Sequence, residues 1–467
     1  MHLLSDGQVL QREPDGSGNA LIEILGRGDP TALSLEVTSA GVTVPGVRLS
    51  PSPLLEGTAI EVDGLPTGGP YSIVITDQVG NRVASIESVF VGDLWVLAGQ
   101  SNMQGIGELA ERLPPLERAG MLSFDGRWKP AVEPLHRFWE TKDSAQYKMS
   151  PFLGFDINAD GLDKMFEELH PQDSIEPIGG VGPGCFFADQ LIQLCGVPVG
   201  LIPCALSGSP LDMWQKDFHQ RHGLPFEDTL FGNLVDRVAL AGDRIAGMLW
   251  YQGESDAMPG ASKTYLDRFK GFVADLRADL NQSDLPVITV QLASADNVDN
   301  WTNEAIWNRM REAQRQAADS LPNVLVVASA DLPRNDHVHI SGKGQRVLGE
   351  RLAMAATSFV DGCNCETTTP RLGWVCCIEG GLEVTFEGVN GSLSATGVLK
   401  EAFTVTGAEV IGAEITSGYK VSLALSEPCL PGIQLYYGSG FQPRSLLADE
   451  AGFVMPSFGP VAAIAPH

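Results

Sequence analysis

Residues 94–105, LWVLAGQSNMQG, run from a string of apolar side chains straight into a small polar cluster centred on Ser101. A serine hydroxyl is a weak nucleophile near neutral pH and needs a neighbouring base before it can attack a carbonyl. The chain has eight histidines, and one of them, His339, follows Asp336 by three residues in NDHVHISGKG. On a loop that leads into a helix, this spacing lets the carboxylate accept from one ring nitrogen while the other faces the serine. The competing reading of that peptide is a turn and a helix cap carrying surface histidines. Charge developing on a carbonyl oxygen also needs donors aimed at it. Gly208, in CALSGSPLDMW, can present a bare N–H there or simply make a tight turn. Gln252, in WYQGESDA, can supply an amide or close a strand end. Glu254 can be a second acid, but the favoured role is bonding backbone or the Asn102 side chain. Trp214 is either core or a platform for a sugar ring.

Residues so far apart in sequence need a scaffold that gathers them. Five apolar runs recur through the middle of the chain: DLWVLA, VPVGLIPCA, IAGMLWYQ, LPVITVQL and NVLVVAS. Helix-like segments separate them. In 263–280, Tyr265, Phe269, Phe272, Val273, Leu276 and Leu280 keep a three-or-four spacing, and further helices are expected at 303–319 and after HISGKG. Continuous apolar strands alternating with amphipathic helices predict an α/β fold, a five-stranded parallel sheet with helices on both faces. Ligands bind at the carboxyl ends of such strands, which is where Ser101 falls. Residues 1 to about 90 and the last hundred instead alternate like half-buried strands: Leu33, Leu35 and Val37 share a face, as do Leu382, Val384 and Phe386. The expected organisation is therefore a β-sandwich-like domain over 1–90, a catalytic domain over 91–362 and a C-terminal β domain over 363–467.

Composition narrows the partners. The 467 residues carry 31 basic and 58 acidic side chains, a net charge of −27, which repels nucleic acid and anionic membrane. No stretch approaches the roughly 18 apolar residues of a transmembrane span. The opening MHLLSDGQVLQR shows no signal peptide, which leaves either a cytoplasmic protein or a trimmed chain. Eight cysteines are too few for a disulfide scaffold, although five lie in the last quarter (Cys363, Cys365, Cys376, Cys377, Cys429) and allow one or two bridges there. Their spacing fits no zinc finger.

GQSNM, LSGSPLDMW, WYQGESDA and DHVH, in that order, resemble the blocks of the sialic acid O-acetylesterase group within the SGNH hydrolases. The resemblance extends outward to LSDGQVLQR and PTGGPYSIVI, inward to GVGPGCFFADQL and TLFGNLVDRV, and to the closing QLYYGSGFQPRSLLADEAGFVMPSF. It implies Ser101 as nucleophile, His339 as base and Asp336 as its orienting acid. The oxyanion donors would come from Ser101, Gly208 and Gln252, with Gln100, Asn102, Trp214 and Glu254 supporting them or binding substrate. It further implies a flavodoxin-like sheet, removal of acetyl groups from sugar hydroxyls without metal or other cofactor, and an extracellular or periplasmic setting. Two departures stand out. Ser207-Gly208-Ser209 replaces the usual Gly-Gly-Thr, and the stretch 106–180 matches least.

Three rival readings remain. Gly253-Glu254-Ser255-Asp256-Ala257 imitates a nucleophile elbow, but Pro259 and Gly260 interrupt the helix that an elbow needs. His219 and His222 together with His337 and His339 would make a metal site if the fold joined them. A non-catalytic carbohydrate-binding protein on a degenerate core is the third, opposed by the joint presence of serine, aspartate and histidine. For an esterase, the net charge favours neutral acetylated glycans of the xylan type over sialosides. Cations near the site would be Arg127, Lys129 or Arg137, and aromatic platforms Trp128, Trp139 or Trp214.

Overall fold

The computed structural model describes all residues except 1–3, 24–32, 52–58, 142, 154–178, 297–299, 366, 445 and 466–467. Its centre is a sheet built from β1 (Arg82–Gly99), β2 (Ala119–Leu122), β3 (Trp128–Pro130), β4 (Val199–Pro203), β5 (Gly247–Tyr251), β6 (Val287–Gln291) and β7 (Val324–Ala328). The spatial order is β3-β2-β4-β1-β5-β6-β7. All neighbours are parallel except β3, which runs antiparallel to β2 at the edge. The sheet therefore has six parallel strands where the apolar runs predict five. The additional one, β2, is only AGML and lies in the poorly matched stretch, too short for its pattern to register as a strand.

Helices α1 (Ser101–Gln104), α2 (Gly184–Cys195), α3 (Leu230–Ala241), α4 (Ala261–Asp279), α5 (Glu304–Ser320) and α6 (Gly342–Ala356) alternate with these strands. The apolar stripe read from the sequence of α4 is the buried one: Tyr265, Phe269, Phe272, Val273 and Leu276 face the core. α2 packs on α6, and α4 on α5. Among the described residues, no helix is long and apolar enough to cross a membrane.

The strand that delivers Ser101 is unusually long, at 18 residues. Its first half pairs with Gly68–Thr76 and Val9–Gln11, and its second half with β4 and β5. The boundary expected near 91 thus falls inside one continuous strand. A second small sheet (Ser17–Glu23, Ala59–Pro66, Arg48–Pro51) closes over it, with Ile22, Ile60, Val62, Ile73, Val89 and Val91 in a shared apolar cluster.

At the other end, Arg371–Ile378, Gly381–Glu387, Lys420–Leu425 and Val410–Ser417 form a four-stranded sheet beside Phe403–Val405, Gln434–Tyr437 and Phe458–Ala462. This β region is joined to the parallel sheet. The Gln291 side chain exchanges two 2.8 Å bonds with the Ser457 backbone, and Ala328 of β7 lies in the C-terminal apolar cluster. Two disulfides are present. Cys377–Cys429 lies within the last quarter, while Cys363 instead reaches back to Cys195 at the end of α2.

Candidate active site

Ser101 is the first residue after a sharp turn at the carboxyl end of β1. Gly99 makes the turn possible: its φ is 129°, and a Cβ there would meet the Tyr251 carbonyl oxygen at 2.1 Å. Only glycine permits β1 and β5 to close so tightly at this point. α1 then continues for a single turn, and all four of its residues are buried, with Ser101 7% exposed. Gln100 locks the turn from behind. Its Oε1 accepts from the Gly253 and Ser255 backbone N–H groups and from Gln252 Nε2, at 3.2–3.3 Å.

The histidine arrives from the loop between β7 and α6. His339 Nε2 lies 2.9 Å from Ser101 Oγ, and His339 Nδ1 lies 2.6 Å from Asp336 Oδ2. The other oxygen, Oδ1, accepts from the backbone N–H of Val338 and of His339 at 2.8 and 2.7 Å. Burial alone would raise the Asp336 pKa. The two N–H groups and the His339 ring outweigh it, so the carboxyl is held below its ordinary value and stays ionised. An ionised acid here fixes the ring tautomer with its bare nitrogen toward the serine.

The donors are less evenly distributed than the sequence suggests. Gly208 adopts a φ of 75°, and among the described residues neither its N–H nor that of Ser101 has a hydrogen-bond acceptor. The turn around Gly208 is pinned at three points: Ser207 N–H donates to Gln104 Oε1 at 2.8 Å, Ser255 Oγ donates to the Gly208 carbonyl at 2.8 Å, and Ser209 Oγ bonds the Leu206 carbonyl at 2.7 Å. The serine at 209, one of the two departures, therefore closes the turn itself. Gln252 does not offer a free donor. It is fully buried, and Nε2 faces three acceptors, Asp256 Oδ2, the Ser209 carbonyl and Gln100 Oε1, with only two hydrogens to give. In the resting site its amide ties three segments together.

Glu254 is fully enclosed and accepts from Asn102 Nδ2 at 2.7 Å through Oε1; Oε2 has no hydrogen-bond partner. Burial pushes its pKa up to about 7 against the lowering effect of the Asn102 amide. Among the described residues, the His339 ring bonds Asp336 and Ser101 and not Glu254. Asn102 passes the constraint on: its Oδ1 accepts from Ile340 N–H at 2.9 Å and its Nδ2 reaches the Val338 carbonyl at 3.3 Å, straddling His339. Trp214 is not a platform. It is 0% exposed, edge-on to Trp250 and Phe272, with Nε1 donating to Ser209 Oγ at 3.0 Å. Trp128 is buried as well, and the Trp139 side chain lies outside the described residues.

Among the rivals, Ser255 bonds Gln100 and Gly208, and among the described residues no histidine bonds its hydroxyl. His222 stacks on Phe218 and His219 packs against Phe226, and among the described residues no three His, Cys, Asp or Glu side chains form a metal-holding group. Sequence reasoning missed Gln104, Asp256, Asp296 and Arg334, all of which hold the site from one contact away. Gln104 and Asp256 lie inside quoted stretches and Arg334 directly precedes one, so position at a motif was the available signal.

The family model for carbohydrate esterases described as sialic acid-specific acetylesterases matches residues 91–358. A probable carbohydrate esterase of Arabidopsis thaliana is 28% identical over 288 residues, 57% of this chain and 90% of that protein. Human sialate O-acetylesterase is 21% identical over 389 residues, 77% of this chain and 70% of its own. Among solved structures, a carbohydrate acetylesterase from Xanthomonas citri superposes with a TM-score of 0.64 at 20% identity, covering 98% of both chains, so the likeness in fold extends beyond the catalytic region into both β regions. With more than half its length matched, the chain belongs to the family of carbohydrate esterases described as sialic acid-specific acetylesterases.

Proposed function

We propose that this hydrolase of acetyl esters removes O-acetyl groups from sugars through an acetyl-enzyme on Ser101, with neutral glycans of the xylan type preferred. The observation that supports the mechanism most directly is the unbroken relay from Ser101 Oγ through His339 to Asp336, at 2.9 and 2.6 Å. As the Ser101 oxygen attacks the acetyl carbonyl carbon, its proton passes to His339 Nε2, and Asp336 stabilises the resulting imidazolium. The carbonyl oxygen takes up negative charge and is met by the N–H groups of Ser101 and Gly208, neither of which has an acceptor among the described residues. Collapse of this intermediate breaks the bond to the sugar oxygen, which leaves with the proton held on His339. Water then attacks the acetyl-serine, His339 taking its proton, and acetate departs with the Ser101 hydroxyl restored. None of these steps requires a metal.

The substrate reading rests on charge. Arg334, the cation that touches the acid loop, is already bonded to the Asp296 carboxylate at 3.1 Å. Lys129 is bonded to Asp125 and Glu140, and Arg137 Nε to the Pro134 carbonyl. A sialate carboxylate would find these cations occupied, within a protein whose net charge is −27. The aromatic platform passes from Trp214 to Trp301, a half-buried tryptophan that follows β6 at the carboxyl end of the sheet and rests edge-on against Trp307. The two disulfides suit an oxidising compartment, which supports an extracellular or periplasmic setting.

The family description and the human relative favour the second reading, a sialate O-acetylesterase. Comparing kcat/KM on an acetylated xylo-oligosaccharide and an acetylated sialoside across a salt series separates the two. The xylo-oligosaccharide is expected to be the better substrate at every ionic strength. Preference for the sialoside at low salt, fading as salt rises, would mean that a local cation governs recognition and would overturn the neutral-glycan reading.

A further inference from the structure

We propose that the C-terminal β region is a working part of the active site, and that Gln442, Asp296 and Arg334 form a brace carrying its support to the acid/base loop. The inference rests on the Ser101–His339–Asp336 reading above, because a brace on that loop matters only if the loop does chemistry.

The chain of contacts can be followed atom by atom. Residues 438–442 leave the strand Gln434–Tyr437 and fold over the carboxyl end of β6. Arg311, 1% exposed on α5, clamps them there: Nη1 bonds the Gly440 carbonyl at 2.7 Å, while Nε and Nη2 hold the Leu292 and Ala293 carbonyls at 2.9 and 2.7 Å. Gly440 N–H donates to Asn308 Oδ1, and the Phe441 carbonyl accepts from Ala295 N–H. From this clamped loop, Gln442 Nε2 donates to Asp296 Oδ1.

Asp296 then makes the connection to the catalytic loop twice. Its backbone N–H donates to the His337 carbonyl at 2.8 Å, and its Oδ2 accepts from Arg334 Nη1 at 3.1 Å. The same Nη1 donates to the Asp336 carbonyl at 2.8 Å, and Arg334 Nε holds Ser294 Oγ at 3.0 Å. The hydrogen bond from Arg334, joined by the Gln442 amide, holds the Asp296 carboxyl below its ordinary pKa, so the carboxylate stays ionised. Residues 335–337 are exposed and have little packing of their own, so a charge-assisted bond to the Asp336 main chain constrains where the acid sits. A displacement of about 1 Å in a catalytic group can lower a rate about a hundredfold.

The test uses the full-length enzyme with an acetylated oligosaccharide, reading kcat and KM separately beside the unfolding midpoint. Arg334→Ala is expected to lower kcat roughly ten- to a hundredfold with KM changed less than about twofold, and Arg334→Lys to restore part of it. Asp296→Asn should fall in the same range. The double variant should be no more than about threefold worse than either single one, because both act through one path. Gln442→Ala removes an exposed side chain outside the catalytic machinery and keeps the test decisive if Arg334→Ala fails to fold; it should lower kcat a few-fold. A raised KM with unchanged kcat would make Arg334 a substrate contact and overturn the brace. Wild-type kcat in all three variants would overturn it too. Ser101→Ala distinguishes the two levels: if it stays active the triad reading fails, whereas an inactive Ser101→Ala beside fully active brace variants sinks the brace alone.

Discussion

The turn that carries Ser101 and the loop that carries Asp336 and His339 meet across 2.9 Å, yet they are held by opposite means. The turn is buried. Residues 100–104 are all enclosed, Ser101 follows directly from a central strand, and its neighbours Gln100 and Gln104 bond backbone groups in the adjacent strand-end loops. The loop is open. Asp336 is 40% exposed, and residues 334–340 contribute one fully buried side chain, Ile340. What fixes the loop is a ring of hydrogen bonds from elsewhere: Asn102 to Ile340, Asn335 to the Ile106 carbonyl, Arg334 to Asp296, and Glu108 to Gly342 N–H. The difference predicts where damage shows. Disturbing a support of the loop lowers the rate while the fold survives; disturbing a buried support of the turn is felt in stability first.

The sharpest way to break this comparison is to remove the two ends of the relay. Ser101→Ala should lower kcat by at least about four orders of magnitude with KM nearly unchanged, since binding and the oxyanion donors remain. It should also abolish the burst of p-nitrophenol from an acetyl ester. Retained turnover, with loss in Ser255→Ala instead, would move the nucleophile. Asp336→Asn should cost roughly three to four orders of magnitude in kcat, because the ring loses both its charge partner and its enforced tautomer. A near-normal rate would remove Asp336 from the relay.

A smaller effect probes the contact shared by turn and loop. Asn102 belongs to the turn but grips the loop on either side of His339, and Glu254 orients its amide. Glu254→Ala should lower kcat about tenfold, while Glu254→Gln, which keeps an oxygen for Asn102, should retain most of the rate. Equal losses in the two variants would mean that the charge itself, and not the hydrogen bond, is used.

The same contrast decides what was legible in the sequence. The turn is written locally: an apolar run, a glycine, then GQSNM, with the sheet implied by four similar runs and the helices by their stripes. Asp336 and His339 were also readable, because a carboxylate and a ring three residues apart meet within one loop. What escaped reading depends on contacts between distant residues. Gln252 looked like a donor because a strand-end amide often is one; only the convergence of Gln100, Ser209 and Asp256 on its nitrogen shows both hydrogens committed. Trp214 looked like a platform because it ends a strand-top loop, but burial against Trp250 and Phe272 is a property of the packed core. Arg334 and Asp296 lie 38 residues apart and carry no shared motif, so their pairing had no sequence signal.

The smallest expected effect on activity comes from the buried side of the comparison, and there stability is the quantity to measure. Glu133 is fully enclosed beside the start of α2. Oε2 accepts from Leu135 N–H at 3.0 Å. Burial pushes its pKa up to about 8, against the lowering effect of the backbone N–H groups of Leu135, Cys185 and Gly182. A carboxyl whose pKa is higher folded than unfolded holds more protons in the native state, so stability is full below the unfolded value and is lost as pH rises through the folded one. Ionising Glu133 should therefore weaken the fold between about pH 5 and pH 8, by an amount on the order of a few kcal/mol. Glu254, raised to about 7, acts with the same sign and ends its contribution earlier. Glu133→Gln keeps the shape and an acceptor for Leu135 without the ionisation, so its urea midpoint should fall less steeply with pH than that of the wild type. Its kcat at neutral pH should stay within about twofold, because no bond from Glu133 reaches the acid/base loop. Parallel slopes for the two proteins would mean that Glu133 ionises freely and that burial around the turn is not dry. A large loss of kcat with unchanged stability would erase the division between buried and exposed supports altogether.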